Sequence, residues 1–252
     1  MTDTDNSPNP QPPSEICWQL QLLGQPKLVE PSTGRSIVLR AKDAALLAVI
    51  ALTAPVKADH LAAMLWPAAS ARQADTSLRQ RLFRLRRDAA ATLVSNHAQL
   101  QLASGIATDI GPTLARILED ENAGRDELLG DLAFDDAPDL ADWLLAERRR
   151  WRDRRSDALV EAATACEKSG AVARGLVYAQ RLIDADPFAE HAWRRLMRLH
   201  YLRGDRAAAI AAFERFERRL KDELGTRPSA ETIELMSTIE ESGASLPAQR
   251  AV

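Results

Sequence analysis

Residues 71–90, ARQADTSLRQRLFRLRRDAA, constrain the fold more than any other stretch of the chain. At about 100° per residue, Ala74, Leu82 and Leu85 fall within roughly 40° of Leu78. So narrow an apolar stripe has to lie on a core, which makes the segment an amphipathic helix. The opposite side carries Gln73, Thr76, Ser77, Gln80, Arg84 and Arg87, flanked by Arg79, Arg81 and Arg86. Such a row of forked donors suits the major groove of DNA, where base edges and phosphates accept hydrogen bonds. A solvated face on an ordinary helix has the same composition, so the neighbouring segments must decide.

Upstream, Ile16, Trp18, Leu20 and Leu22 alternate with polar residues, a strand pattern broken by Gly24 and Pro26. Lys27–Glu30 and Ser36–Arg40 read as two further strands around the turn Pro31-Ser32-Thr33-Gly34. Together they predict a small antiparallel sheet. Residues 41–53 form a strongly apolar helix ended by Pro55. A short helix then opens near Lys57 or Asp59 and stops at Trp66, because Pro67 disfavours the helical conformation of the residue before it. After the Arg-rich helix, Thr92–Ser95 and Gln99–Ala103 alternate around a turn at Asn96-His97, and Ile106–Asp109 adds a short strand. Strands, helix, helix, long helix and hairpin is the order of a winged helix-turn-helix, whose third helix enters the groove.

Residues 16–109 resemble the OmpR/PhoB-type winged helix found in SARP-type bacterial regulators. The resemblance is carried by the buried helix Ala44–Leu52, by Leu61–Leu65 with Trp66-Pro67, and by Ser77-Leu78-Arg79-Gln80 with Arg84-Leu85-Arg86. It implies that the third helix lies in the major groove, with Arg84 and Arg86 on the DNA. One departure is plain: from Asp88 to Ile110 there is no Lys or Arg, and His97 is the one cationic candidate near the wing tip.

From Gly111 onward the pattern is helical. Leu114, Ile117 and Leu118 suggest a short helix, and Asp142–Lys168 a long one with a basic middle, Glu147–Arg155, read as a solvated face. Gly170 and Gly204 lie 34 residues apart, and at that offset Leu159 matches Trp193, Leu176 matches Ile210 and Ala179 matches Phe213. Thirty-four residues is the period of tetratricopeptide repeats, and the glycines fall where the turn inside a unit needs φ > 0. Helices are expected over about 142–168, 172–184, 188–203 and 206–223, with a last one from Pro228-Ser229 through Ile239. Such repeats stack into surfaces used for protein contacts. Residues 110–240 also resemble the bacterial transcriptional activator domain that follows the winged helix in SARP-type regulators. The matching residues are Trp143, Glu147-Arg148, Asp186-Pro187, Glu190, Arg194, Leu196-Met197, Gly204-Asp205, Ala208-Ala209, Glu223-Leu224-Gly225 and Pro228-Ser229.

The expected architecture is therefore mainly α with a small β component. It has a disordered tail (1–15), a winged-helix DNA-binding domain (16–109), an all-α tetratricopeptide-like domain (110–240) and a flexible tail (241–252). The net charge of −3 hides a split. Residues 37–109 hold nine Lys/Arg against five Asp/Glu, and residues 110–240 hold 21 against 26. Cys17 and Cys166 have no metal or disulfide spacing, the N-terminus lacks the pattern of a signal peptide, and no apolar run reaches membrane length. These features suggest a cytoplasmic protein off the membrane. The four histidines form no zinc pattern, and Gly170–Gly175 does not continue as a phosphate loop. Asp135-Asp136 reads as a solvated pair, and Trp143, Trp151 and Trp193 read as repeat core. No catalytic, metal or cofactor residue is expected.

The expected role is a sequence-specific DNA-binding regulator, an activator. Its DNA-binding residues are Ser77, Arg79, Gln80, Arg81, Arg84, Arg86 and Arg87, with Gln80 suited to pair with adenine. The resemblance implies that the helical domain contacts a second protomer or RNA polymerase. The alternative is a repeat scaffold for protein contacts that has lost DNA affinity.

Overall fold

The computed structural model describes residues 18–96, 99–110 and 126–244. The expected N-terminal tail, the wing tip with His97, and the helix around Leu114–Leu118 lie outside them. The chain divides into two compact units, Met1–Trp151 and Arg152–Val252.

The first unit begins with strands β1 (Trp18–Gln21), β2 (Lys27–Val29) and β3 (Ser36–Val38). Helices α1 (Ala41–Thr53), α2 (Ala58–Leu65) and α3 (Ala71–Ala89) follow. The hairpin β4 (Val94–Asn96)–β5 (Leu100–Leu102) and strand β6 (Ile106–Thr108) come next. The main sheet has the order β3-β2-β1-β6. Its first two pairings are antiparallel, as expected, but β6 joins β1 in parallel, with Trp18 opposite Ile106 and Leu20 opposite Thr108. Parallel neighbours need a long crossover, and the three helices and hairpin supply it. The Asp109 carboxylate secures this return by accepting from the backbone N–H groups of Leu22 (2.9 Å) and Leu23 (3.1 Å).

Residues Asp43 through Ile50 of α1 are all buried, which explains an apolar pattern with little amphipathicity. Leu20, Leu28, Leu61, Leu65, Leu78 and Leu85 close around it. Pro67 acts as expected: α2 ends at Leu65 with Trp66 in a non-helical conformation. The hairpin is tied to the α1–α2 connection by reciprocal bonds between Val56 and Leu100, at 2.8 and 3.1 Å.

The same core takes in Leu128, Leu129, Phe134, Ala137, Leu140 and Leu144, the last two at the start of helix α4 (Pro138–Ser169). Two features of this region differ from the sequence reading. Asp136 is an ion-pair partner of Lys42 at 3.0 Å, so Asp135-Asp136 is not simply a solvated pair. Arg148, placed in a solvated basic run, donates to the carbonyls of Leu128, Gly130 and Leu132 and holds that turn on α4. Trp143 packs on this first core rather than on the repeats.

The second unit comprises α4 from Arg152 onward, α5 (Val172–Ala185), α6 (Glu190–Leu202), α7 (Arg206–Arg219), a π-helical turn (Leu220–Leu224) and α8 (Ala230–Ala244). The 34-residue period is written in its core. Of the pairs read from the sequence, Leu159 and Trp193 are both buried, whereas Leu176, Ile210 and Phe213 are only half-buried. Gly175 and Ala209, Tyr178 and Ala212, and Leu182 and Phe216 are further buried pairs at that offset. Gly170 and Gly204 hold φ of +73° and +80° in equivalent turns, the left-handed region where glycine carries no Cβ penalty. Trp193 stacks on Phe216 with centroids 5.4 Å apart and donates its indole N–H to the Pro187 carbonyl at 2.9 Å. The last helix extends to Ala244, past the expected end at Ile239.

Candidate nucleic-acid interface

Helix α3 is started by Ser70. The Ser70 hydroxyl accepts from the Gln73 backbone N–H, and the Gln73 side chain accepts from the Ser70 N–H at 3.0 Å, a complete capping box. Gln73, read from sequence as part of the polar face, is thus engaged at the helix start. At the other end Ala90 takes a left-handed φ of +50° and its N–H returns to the carbonyls of Arg86 and Arg87. Between these ends the buried residues are Ala74, Leu78, Leu85 and Ala89, with Leu82 half-buried. This is the stripe the periodicity requires.

The arginines of α3 separate into two groups. Arg81 and Arg84 face α1, where the Asp43 side chain is only 5% exposed. Arg84 Nη2 donates to both Asp43 oxygens, at 2.8 and 2.7 Å, and Arg81 Nη1 donates to Oδ1 at 2.8 Å. The Arg81 guanidinium also lies 5.4 Å from the centre of the Trp66 ring. A carboxylate at that depth needs opposite charge and hydrogen bonds, and these two side chains provide both. They fix the angle between α3 and α1.

Arg72, Arg79, Arg86 and Arg87 point outward, together with Thr76, Gln80 and Phe83. Arg79 pairs with Asp75 (2.8 Å) and Arg87 with Asp88 (2.9 Å), both on the open surface. Exposed pairs of this kind are worth about 0–1 kcal/mol. Of the residues singled out in the sequence, Arg79, Gln80, Arg86 and Arg87 share this face. Ser77 is half-buried at its edge, and Arg81 and Arg84 lie beneath it. Arg72 and Phe83 lie exposed on the same face and are not among the residues that the sequence pattern singles out. The signal for Phe83 was present: it is the one aromatic residue opposite the Leu78 stripe.

Among the described residues no His, Cys, Asp and Glu side chains gather as a metal-binding group, and no helix is long and apolar enough to cross a membrane.

A winged helix with an Arg-rich third helix, joined to helical repeats of 34-residue period, defines a two-part class of protein. Residues 123–240 match the bacterial transcriptional activator domain family. Over 71 residues the chain is 37% identical to the transcriptional regulatory protein MoaR1 of Mycobacterium bovis and to that of Mycobacterium tuberculosis. The match covers 28% of this chain and 22% of theirs, so it spans about a fifth of those relatives. The fold is shared with Mycobacterium tuberculosis EmbR, solved in complex with a low affinity phosphopeptide. The TM-score is 0.57 at 21% identity, covering 90% of this chain and 66% of that one. Residues 123–240 thus carry the bacterial transcriptional activator domain, and its place after a winged helix is similar to the order found in SARP-type regulators.

Proposed function

We propose that the protein regulates transcription, as an activator, by binding double-stranded DNA through the outward face of α3. The observation that carries this reading is the separation of the helix's arginines. Arg81 and Arg84 are committed to Asp43, while Arg72, Arg79, Arg86 and Arg87 stand in solvent around Thr76 and Gln80. A helix anchored by one set of cations and presenting another is preorganised for a polyanion. Arg72, Arg79, Arg86 and Arg87 engage phosphate or guanine, and Gln80 pairs with adenine. Ser77, at the edge, reaches a flanking phosphate. Arg81 and Arg84 act by positioning the helix.

The repeat unit supplies the protein contact, to a second protomer or to RNA polymerase. The MoaR1 relatives, named as transcriptional regulatory proteins, support the regulatory role, and the bacterial transcriptional activator domain supports activation. The test is binding of the full chain to random and genomic duplex fragments across a salt series, followed by sequencing of the retained fragments. Binding that weakens with salt and enriches a sequence supports the proposal. No binding at low salt favours a protein-interaction scaffold, a second reading motivated by the absence of Lys and Arg from Asp88 to Ile110.

A further inference from the structure

We infer that Phe83 is a specificity residue that reads thymine, by packing its ring against the C5 methyl of a thymine in the major groove. The inference rests on the DNA-binding reading above. Phe83 is 69% exposed, more than any other exposed large apolar side chain among the described residues. Single apolar residues on a surface ordinarily call for no explanation. This one differs in its place. Helix geometry puts Arg79 and Arg87 one turn to either side of it, and Gln80 and Arg86 three residues away. All four are exposed, so the ring stands near the middle of a cationic, donor-rich face.

The ligand of such a face has to be anionic at its rim and apolar at one point in its centre. Duplex DNA meets both conditions, because phosphates border the major groove and the thymine methyl is its apolar group. A second copy of the same face does not, since it would set these arginines against one another. Double-stranded RNA does not either: its major groove is too deep and narrow for side chains to read.

The test uses duplexes selected by the full-length wild type from a randomised pool, resynthesised with uracil in place of thymine at one position at a time. Uracil removes the methyl and leaves the base pair intact. Burial of about one methyl predicts that wild type loses roughly three- to fivefold in affinity at one or two positions of the site. Phe83→Ala binds the thymine and uracil duplexes equally, and Phe83→Leu keeps part of the preference. Thermal melts of each variant establish that it folds, as expected for a side chain this exposed. The inference is overturned if wild type is indifferent to uracil at every position, or if Phe83→Ala keeps the full thymine preference. It is also overturned if Phe83→Ala changes the sedimentation of the free protein while the preference is untouched, which makes the ring a protein contact. Wild type that selects no duplex at all refutes the underlying DNA reading, and this inference with it.

Discussion

Arg84→Ala and Arg87→Ala should have opposite consequences, although both remove an arginine from one helix within four residues. Arg84 contributes two of the three side-chain bonds into Asp43, both 2.8 Å or shorter. Removing one partner of a buried pair costs about 3–5 kcal/mol when the other charge is stranded. Two observations lower that figure: Arg81 still holds Oδ1, and the Arg84 side chain is already 30% exposed. We therefore expect Arg84→Ala to destabilise the first unit by about 2–3 kcal/mol, which moves a urea midpoint down by roughly 1–2 M. Arg87 is 66% exposed and its partner Asp88 40%, so Arg87→Ala should stay within about 0.5 kcal/mol. The assay is urea unfolding of the full chain, with DNA binding measured where each variant is folded. With Arg81 still holding Asp43, folded Arg84→Ala should lose less affinity than Arg87→Ala, and only the Arg87→Ala loss should come with a shallower salt dependence. An Arg84→Ala midpoint equal to wild type, with DNA binding lost, would refute the assignment of Arg84 to the α1–α3 junction.

Two other substitutions probe the two units separately. Gly130 holds φ of +53°, and a Cβ there would lie 2.7 Å from the Gly24 carbonyl oxygen. Gly130→Ala should destabilise the first unit by about 2–4 kcal/mol in chemical denaturation, because the obstacle is backbone and the conformation is unfavourable for alanine. In the second unit the Glu190 carboxylate accepts from the hydroxyls of Ser229 and Thr232 and from the Ser229 N–H. Burial works to raise its pKa. The bonds from Ser229 and Thr232, with Arg194 beside it, outweigh that and hold it below the ordinary value of 4.5. A depressed carboxyl stabilises the fold above its unfolded value and loses that contribution as pH falls through the folded one. Glu190→Gln should therefore cost about 1–2 kcal/mol near neutral pH and flatten the loss of stability below about pH 4.5, as read by thermal melts across pH.

The fold was largely legible because its periodicities are strong. The stripe at Ala74, Leu78 and Leu85 is the buried side of α3, Pro67 stops α2 where a pre-proline residue must leave the helix, and the 34-residue spacing recurs in buried pairs. The parallel pairing of β6 was not legible, since local alternation says nothing about strand direction. Nor was the bond from Arg148 to three carbonyls, whose partners show no sequence signal. The candidate site was half legible. Periodicity places the Cβ atoms but not the ends of long side chains, so Arg81 on the flank of the stripe and Arg84 on the side opposite it can both reach back to α1. Asp43 decides the matter for Arg81 and Arg84. Its signal was in the sequence, as a single acid inside an apolar helix that has to be paired if it is buried.

The most direct measurement is the slope of log affinity against log salt concentration for the full chain on duplex DNA. It would be compared with Arg72→Ala, Arg79→Ala, Arg86→Ala and Arg87→Ala. If these side chains meet phosphates, wild type shows a steep negative slope and each substitution makes it shallower by about one. A wild-type slope that none of the four substitutions changes, or no binding at low salt, would contradict the assignment of the α3 face to DNA.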